Sequence, residues 1–582
     1  MRLHWRRWNR PPRWVFALGL LAACGDGEGP LGFPGGRDGT VLQYVTPRLQ
    51  VVSAGAPTTV TLRLVVLREA RNGALTPLAG ARLRATRDRG QGGLASPVLT
   101  TNARGEATVE IAMPAGADKT MVTVALEDDR RSYLPFDVVS APVVPVTVPV
   151  GAIRELDVPR DGALLRLAVA PGSEYIVIPH QTDRERSGVP YRLLFAGDAP
   201  SPGSVATGAA ALAEPFARAE LETETGHVVA GAIDPGGLEL AAGVPGAVNI
   251  KSCRITADRL APLRYRGRNV AIYVDAPFDA HQARIDSLGQ AFDDDIVPTN
   301  TALFGQMSDL DGNGLVYIIM SPELQDHGGS YCDSIRNVRV EAFYAAWNPT
   351  DPIDRPLATL AHEHQHVINA GHHFRTRGDI GDERWLNEGM SYAAEGLHGY
   401  WAGALVRVWQ FLNGQNTGLS QLPLEYATGF NDEYMMFLLY LRDRFGSGTY
   451  LALGLSGRKG DSNVERVTGV AFEDLLRDWF VASAISNRGV TDDPRYNYTS
   501  INLHGMAAEI AACRCIPLTR FGGMALEPLL LSTPFDVLRS LDRADADYYQ
   551  LVPAPGAGAR TIDLYYDAYG RQTVGLILVR TR

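Results

Sequence analysis

Leu360-Ala361-His362-Glu363-His364-Gln365-His366-Val367-Ile368-Asn369 is the stretch on which the reading of this chain turns. Leu357, Leu360, Ala361 and Ile368 recur near a 3.6-residue period, so the spacing predicts a helix over about 353–370 with one apolar face on a core. His362 and His366, one helical turn apart, share a different face. At that spacing two imidazoles can converge on a single Zn2+ at nitrogen distances of about 2.0 to 2.1 Å. Glu363 lies about 100° round the helix and points beside the ion, where a base can hold an attacking water. His364 falls in the apolar stripe and reads as a core histidine with its hydrogen bonds satisfied. Gly371 is expected to end the helix, which places His372 and His373 in a loop.

A catalytic zinc takes three protein ligands and keeps one position for water. The run Arg384-Trp385-Leu386-Asn387-Glu388-Gly389-Met390-Ser391-Tyr392-Ala393-Ala394-Glu395 predicts a second amphipathic helix over 383–397 with a carboxylate early in it. Glu388 is taken as the third ligand, in competition with Glu383 and Glu395; helix geometry alone does not decide among them. Glu395, seven residues on, shares the face of Glu388 two turns later. It reads either as a hydrogen-bond partner of a ligand histidine or as a solvated helix residue.

The His-Glu-x-x-His string, with the Glu of Trp385-Leu386-Asn387-Glu388-Gly389 falling 22 residues after His366, resembles the gluzincin metallopeptidases. Within them it is most similar to the hyicolysin-type family of bacterial secreted metallopeptidases. The likeness covers about 265–490, under half of the chain. It implies an α+β zinc metallopeptidase domain in which the Asn-Glu carboxylate, Glu388 here, completes the ligand set His362, His366 and Glu388 around one Zn2+. It further implies hydrolysis of peptide bonds by a metal-activated water with Glu363 as general base. Tyr434 opens a helix over 432–445 that resembles the one carrying the oxyanion-stabilising tyrosine of zinc aminopeptidases. A core role for Tyr434 beside Tyr440 stays open, as do Tyr426, His372 or His373 as the donor. The Gly-x-Met-Glu-Asn string of those aminopeptidases is missing before the histidine helix, where Asn337-Val338-Arg339-Val340-Glu341-Ala342-Phe343 stands. An endopeptidase acting on protein or peptide substrates is therefore expected, and the strand at 338–343 could pair with an extended peptide as an added edge strand.

Asp309-Leu310-Asp311-Gly312-Asn313-Gly314 matches the opening of a calcium loop, but Met320 stands where an EF-hand needs its bidentate Glu. Two readings remain, a smaller Ca2+ site using Asp309, Asp311 and Asn313, or a tight turn into the next strand; the turn is preferred.

Outward from this centre the texture changes. Short alternating runs such as Thr59-Val60-Thr61-Leu62-Arg63-Leu64-Val65-Val66 predict a β-sandwich over 42–141, and Pro77-Leu78-Ala79-Gly80-Ala81 with Thr101-Asn102-Ala103-Arg104-Gly105-Glu106-Ala107 resembles bacterial immunoglobulin-like modules. An extended linker follows at 142–149. A second β domain is expected at 150–252, the zinc metallopeptidase domain at 255–498, and a C-terminal β domain at 500–582. The expected fold is thus multidomain, with β-sandwich modules flanking an α+β gluzincin-like unit. A weak internal repeat relates the two β regions, since Tyr175 and Tyr548-Tyr549 each open a strand.

The chain has 582 residues, 60 of them Gly and 36 Pro, with 45% hydrophobic and 21% charged residues, a globular balance long enough for several domains. Its net charge of −10 leaves no basic field, which removes nucleic acid as a leading partner. Residues 1–23 read as a signal peptide, with five arginines and then the apolar run Trp14 to Ala23. Leu21-Ala22-Ala23-Cys24 resembles the bacterial lipobox, which implies lipidation at Cys24 and a chain exported to the cell envelope and anchored to a membrane, with 24–41 as a Gly-rich tether. The remaining cysteines, Cys253, Cys332, Cys513 and Cys515, allow two disulfides of undetermined pairing. The rival function is a surface adhesion or binding lipoprotein whose peptidase-like core is inactive.

Overall fold

The computed structural model describes residues 39–195, 246–249, 260–505 and 526–582, apart from 47, 71–73, 130–131, 160, 185, 187, 276–280, 310, 323–328, 331–340, 379–381, 401–406, 409–410, 413–431, 504, 554–555 and 570–573. Cys24 and the other four cysteines lie outside the described residues, as do the signal peptide, the tether to residue 38 and Tyr426. The chain forms two compact units, divided after Val143.

The first unit is a sandwich of two five-stranded sheets spanning Thr40 to Ala141. Strict alternation builds it. In Thr58–Glu69, Val60, Leu62, Leu64 and Val66 face inward while their neighbours face solvent. They meet Leu83, Val122, Val124, Phe136 and Val138 of the opposing sheet in one core.

The second unit corrects the expected domain plan. The strands predicted for two separate β domains, at 150–252 and 500–582, interleave in one sandwich. Its first sheet runs Val143–Val146, Ala163–Val169, Arg560–Asp567, Val189–Phe195, Phe535–Leu541. Its second runs Ile153–Leu156, Val574–Arg580, Tyr175–Gln181, Tyr549–Val552, Glu527–Leu530. Leu165 sits opposite Leu564 and Ile176 opposite Val579, about 400 residues apart in the chain. The apparent repeat is therefore a pair of partners, Tyr175 facing Leu551 across neighbouring strands. Half of the expected linker, Val143–Val146, is itself an edge strand of this sandwich.

Between the two halves the described residues form an insert whose helical layer packs on the sandwich. Tyr175–Gln181 is buried on both faces. Tyr175 and Val177 enter the sandwich core, whereas Ile176 and Ile178 enter the core of the helical layer, and Leu576 and Leu578 alternate with Ile577 and Val579 in the same way. The helix Phe472–Ile485 supplies Trp479, Phe480 and Val481 to that second core.

The insert opens with a mixed six-stranded sheet in the order Ala247–Asn249, Leu260–Arg266, Val270–Val274, Val316–Ser321, Ala342–Ala346, Gly329–Ser330. Ala247–Asn249 thus belongs to this sheet, although the sequence reading assigned it to the preceding β domain. The last strand pairs Ser330 with Tyr344 and Gly329 with Ala345, so Ala342–Ala346 is not at the edge there, while residues 338–340 of the stretch proposed for peptide pairing lie outside the described residues. Val270, Ile272, Ile318 and Phe343 pack one sheet face against Ile285, Leu288 and Phe292 and against Leu357, Leu360 and Val367 of the long helix Asp354–Arg377. That histidine helix is central: every residue from Pro356 to His373 except Thr359 is buried. It also outlasts the expected stop at Gly371 and ends at Gly378, in left-handed conformation at φ 73°. Gly371 serves close packing instead, since a Cβ there would meet Ser308 Oγ at 2.6 Å.

Because sandwich and helices share a wall, Leu564→Ala is expected to destabilise the helical layer as well as the sandwich, by about 2 to 5 kcal/mol. Urea unfolding followed through helical circular dichroism checks this; an unshifted helical transition would mean that the two layers fold separately.

Candidate metal centre

The site lies between the histidine helix and the antiparallel helix Arg384–Leu397, here the acid helix. A ladder of side chains at four-residue spacing joins them. Asn369 Nδ2 donates to Asn387 Oδ1 at 2.8 Å, Ser391 Oγ donates to Gln365 Oε1 at 2.5 Å and lies 3.1 Å from His366 Nδ1, and Glu395 Oε1 lies 2.9 Å from His362 Nδ1. Residues 387, 391 and 395 rise up one face of the acid helix while 369, 366 and 362 descend the other. Gly389 sits on the far face, where a Cβ would stand 2.9 Å from the Tyr434 carbonyl and 2.7 Å from Leu438 Cδ2, so its lack of a side chain lets the helix Asp432–Phe445 close in behind.

Within the ladder His362, His366 and Glu388 come together. His362 Nε2 is 3.1 Å from His366 Nε2 and 3.4 Å from Glu388 Oε2, and His366 Nε2 is 3.8 Å from the same oxygen. A tetrahedral zinc with ligands at 2.0 to 2.1 Å sets its donors about 3.3 to 3.4 Å apart. The three donors fit that triangle, with each histidine's other nitrogen occupied by Glu395 or Ser391.

The electrostatics agree with a site for a cation. Burial works against protonation of His362, yet the carboxylates of Glu388 and Glu395 outweigh it and hold its pKa well above the ordinary value. Burial pulls His366 down to about 4, with the neighbouring His362 charge acting in the same direction. Burial opposes ionisation of Glu388, but the two imidazoles override it and hold the carboxyl at about 2. One imidazole thus favours its charged form, the other its neutral form and the carboxyl its anion, side by side in a space the size of one ion.

Glu363 is 4% exposed beside His362, and its charge acts on that imidazole. Tyr434 is 2% exposed in the helical core; burial raises its hydroxyl pKa, and the charges of Glu388 and Arg384 reach it. Glu383, a rival for third ligand, is turned elsewhere: its Oε2 accepts from Trp385 Nε1 and from Arg184, each at 2.8 Å. His364 is buried edge-on to Phe292, with Asn300 Nδ2 3.3 Å from its Nδ1. His372 and His373, expected in a loop, are in the helix. His372 Nε2 lies 3.1 Å from the Phe304 carbonyl and His373 Nε2 3.4 Å from Asp382.

The Asp309 and Asp311 carboxylates gather with Glu341, a residue the sequence reading did not connect to them. Asn313 Oδ1 accepts from the Leu315 amide, and its Nδ2 donates to Asp311 and to Tyr317, the contacts of the preferred turn. Ser391 and Gln365 were likewise missed as partners of the site. The signal available for Ser391 was its four-residue step from Asn387.

No family model matches the chain. The neutral metalloprotease ShpI of Staphylococcus hyicus is 30% identical over 159 residues, 24% of this chain and 36% of that protein, so the chain spans about a third of that relative's length. Among solved structures, the D00-D0 domain of intimin covers 17% of this chain and 46% of its own at 18% identity and a TM-score of 0.14. The Yersinia pseudotuberculosis adhesin InvE covers 28% and 47% at 14% identity and 0.14. The secreted serine protease VesC of Vibrio cholerae covers 26% and 39% at 8% identity and 0.16. Overlaps of that extent bear on neither fold nor chemistry.

One zinc per chain is the expected result of metal analysis on purified protein, with His366→Ala and Glu388→Ala each abolishing it. Ser391→Ala should weaken binding by about 10-fold, as loss of a ligand's hydrogen-bond partner does, which chelator competition reads.

Proposed function

We propose that the chain is a zinc metalloendopeptidase, exported and held at the bacterial cell envelope by a lipid on Cys24, that cleaves peptide bonds in protein or peptide substrates. The single observation that carries this reading is the triangle of His362, His366 and Glu388 with Glu363 next to the first histidine on one helix. The partial likeness to a metalloprotease supports it. When bound, zinc supplies a Lewis acid for the scissile carbonyl and lowers the pKa of a water.

The rest of the chemistry falls to side chains. His362 and His366 are oriented by Glu395 and Ser391, so both present Nε2 to the space beside Glu388. Glu363 accepts the proton of the attacking water and delivers it to the leaving amine. Tyr434 is the proposed donor to the developing oxyanion. The missing amine-binding string favours internal bonds over free N-termini.

Glu363→Gln is expected to keep its zinc and to lose casein hydrolysis by about 10² to 10⁴-fold. Turnover equal to that of the unaltered protein would remove Glu363 as base. Tyr434→Phe should keep zinc and lose about 10²-fold or more in kcat; an unchanged kcat would return Tyr434 to the core. Zinc without turnover on a broad peptide library would favour the rival reading, a surface adhesion or binding lipoprotein.

A further inference from the structure

We infer that Arg407 is a positioning residue for His362, acting through two arms that meet on one imidazole. The inference rests on the metal-site reading above. Arg407 reaches the site from beyond the end of the acid helix, and its side chain is 23% exposed. Its Nη1 donates to Glu395 Oε2 at 3.1 Å, while the other oxygen of that carboxylate, Oε1, lies 2.9 Å from His362 Nδ1. The same guanidinium lies 3.8 Å over the ring of Tyr392, and Tyr392 packs at 4.7 Å against the His362 ring at an interplanar angle of 63°. One planar cation therefore fixes both the carboxylate at the imidazole's Nδ1 and the aromatic ring packed at an angle against it.

The geometry explains why Arg suits this position. A carboxylate with one oxygen on Nδ1 can still turn about its last torsion, and pinning the second oxygen removes that freedom. Glu395 is only 7% exposed at the side chain, so water has little access to do the pinning. A lysine could meet the carboxylate, but it has no flat face to lay on Tyr392 at the same time. Direction at Nδ1 sets direction at Nε2, the atom that faces Glu388 and His366. Arg407 thus bears on the metal geometry although it touches none of the three donors.

The test is zinc affinity by chelator competition, with the visible spectrum of the cobalt(II)-substituted protein as a readout that a loss of fold stability alone does not move. Arg407→Gln is expected to weaken zinc by about 10-fold and to shift the cobalt bands, and Glu395→Gln to weaken it by about 10 to 100-fold. The double variant should lose less than the product of the two single losses, because the carboxylate arm is then already gone and only the Tyr392 arm is left for Arg407 to act through. Unchanged affinity and spectrum in Arg407→Gln, or losses that multiply in the double variant, overturn the inference while leaving the metal site standing. No zinc on the unaltered full chain overturns both. Should Arg407→Gln lower the melting temperature of the metal-free protein, Arg407→Lys is read in its place. An intermediate loss of about 3-fold with shifted bands is expected for it, and unaltered affinity and spectrum overturn the inference.

Discussion

Two imidazoles and a carboxylate held 3.1 to 3.8 Å apart in a buried space are the constraint on which the second unit depends. Such groups lose their hydration when buried, so every one of them needs a partner fixed in place. The antiparallel pair of helices meets that need with a repeated four-residue step. Asn387, Ser391 and Glu395 on one side answer Asn369, His366 and His362 on the other. Close packing of other elements behind the pair follows from small residues where neighbours crowd, Gly371 beside Ser308 and Gly389 beside Tyr434 and Leu438.

The β-sandwich of the second unit is the support for this helix pair. Its strand Tyr175–Gln181 presents Tyr175 and Val177 to one core and Ile176 and Ile178 to the other. A residue just past that strand, Arg184, reaches the start of the acid helix: it bonds Glu383 and Asp461 and lies over the rings of Trp385 and Phe472. The helix that carries Glu388 is thereby tied to the sandwich five residues before Glu388 itself. Cutting the insert away from the sandwich strands on either side of it in the chain would expose Ile176, Ile178, Ile577 and Val579.

Much of the local structure was legible. Helices expected at 383–397 and 432–445 appear at Arg384–Leu397 and Asp432–Phe445, since apolar period and helix-breaking neighbours agree there. The stop at Gly371 was misplaced because a glycine can serve close packing as well as a helix end, and only the position of Ser308 tells the two apart. Thr449–Leu455 and Gly460–Thr468 were not anticipated, being short helices with little pattern to read. The two-faced strands were recognised as strands but not as a shared wall, because alternation between two apolar cores looks the same as burial in one.

By itself the sequence determined the chemistry of the donors. A His-Glu-x-x-His string on a helical period puts two imidazoles on one face whatever surrounds them, because the rise and turn of the helix are local properties of the backbone. That Glu388 and not Glu383 gathers with His362 and His366, the contacts of Ser391 and Arg407, and the joining of residues near 165 to residues near 564 were decided only in the tertiary structure. These depend on which elements pack together, and contacts between residues far apart in the chain leave no period in the sequence between them.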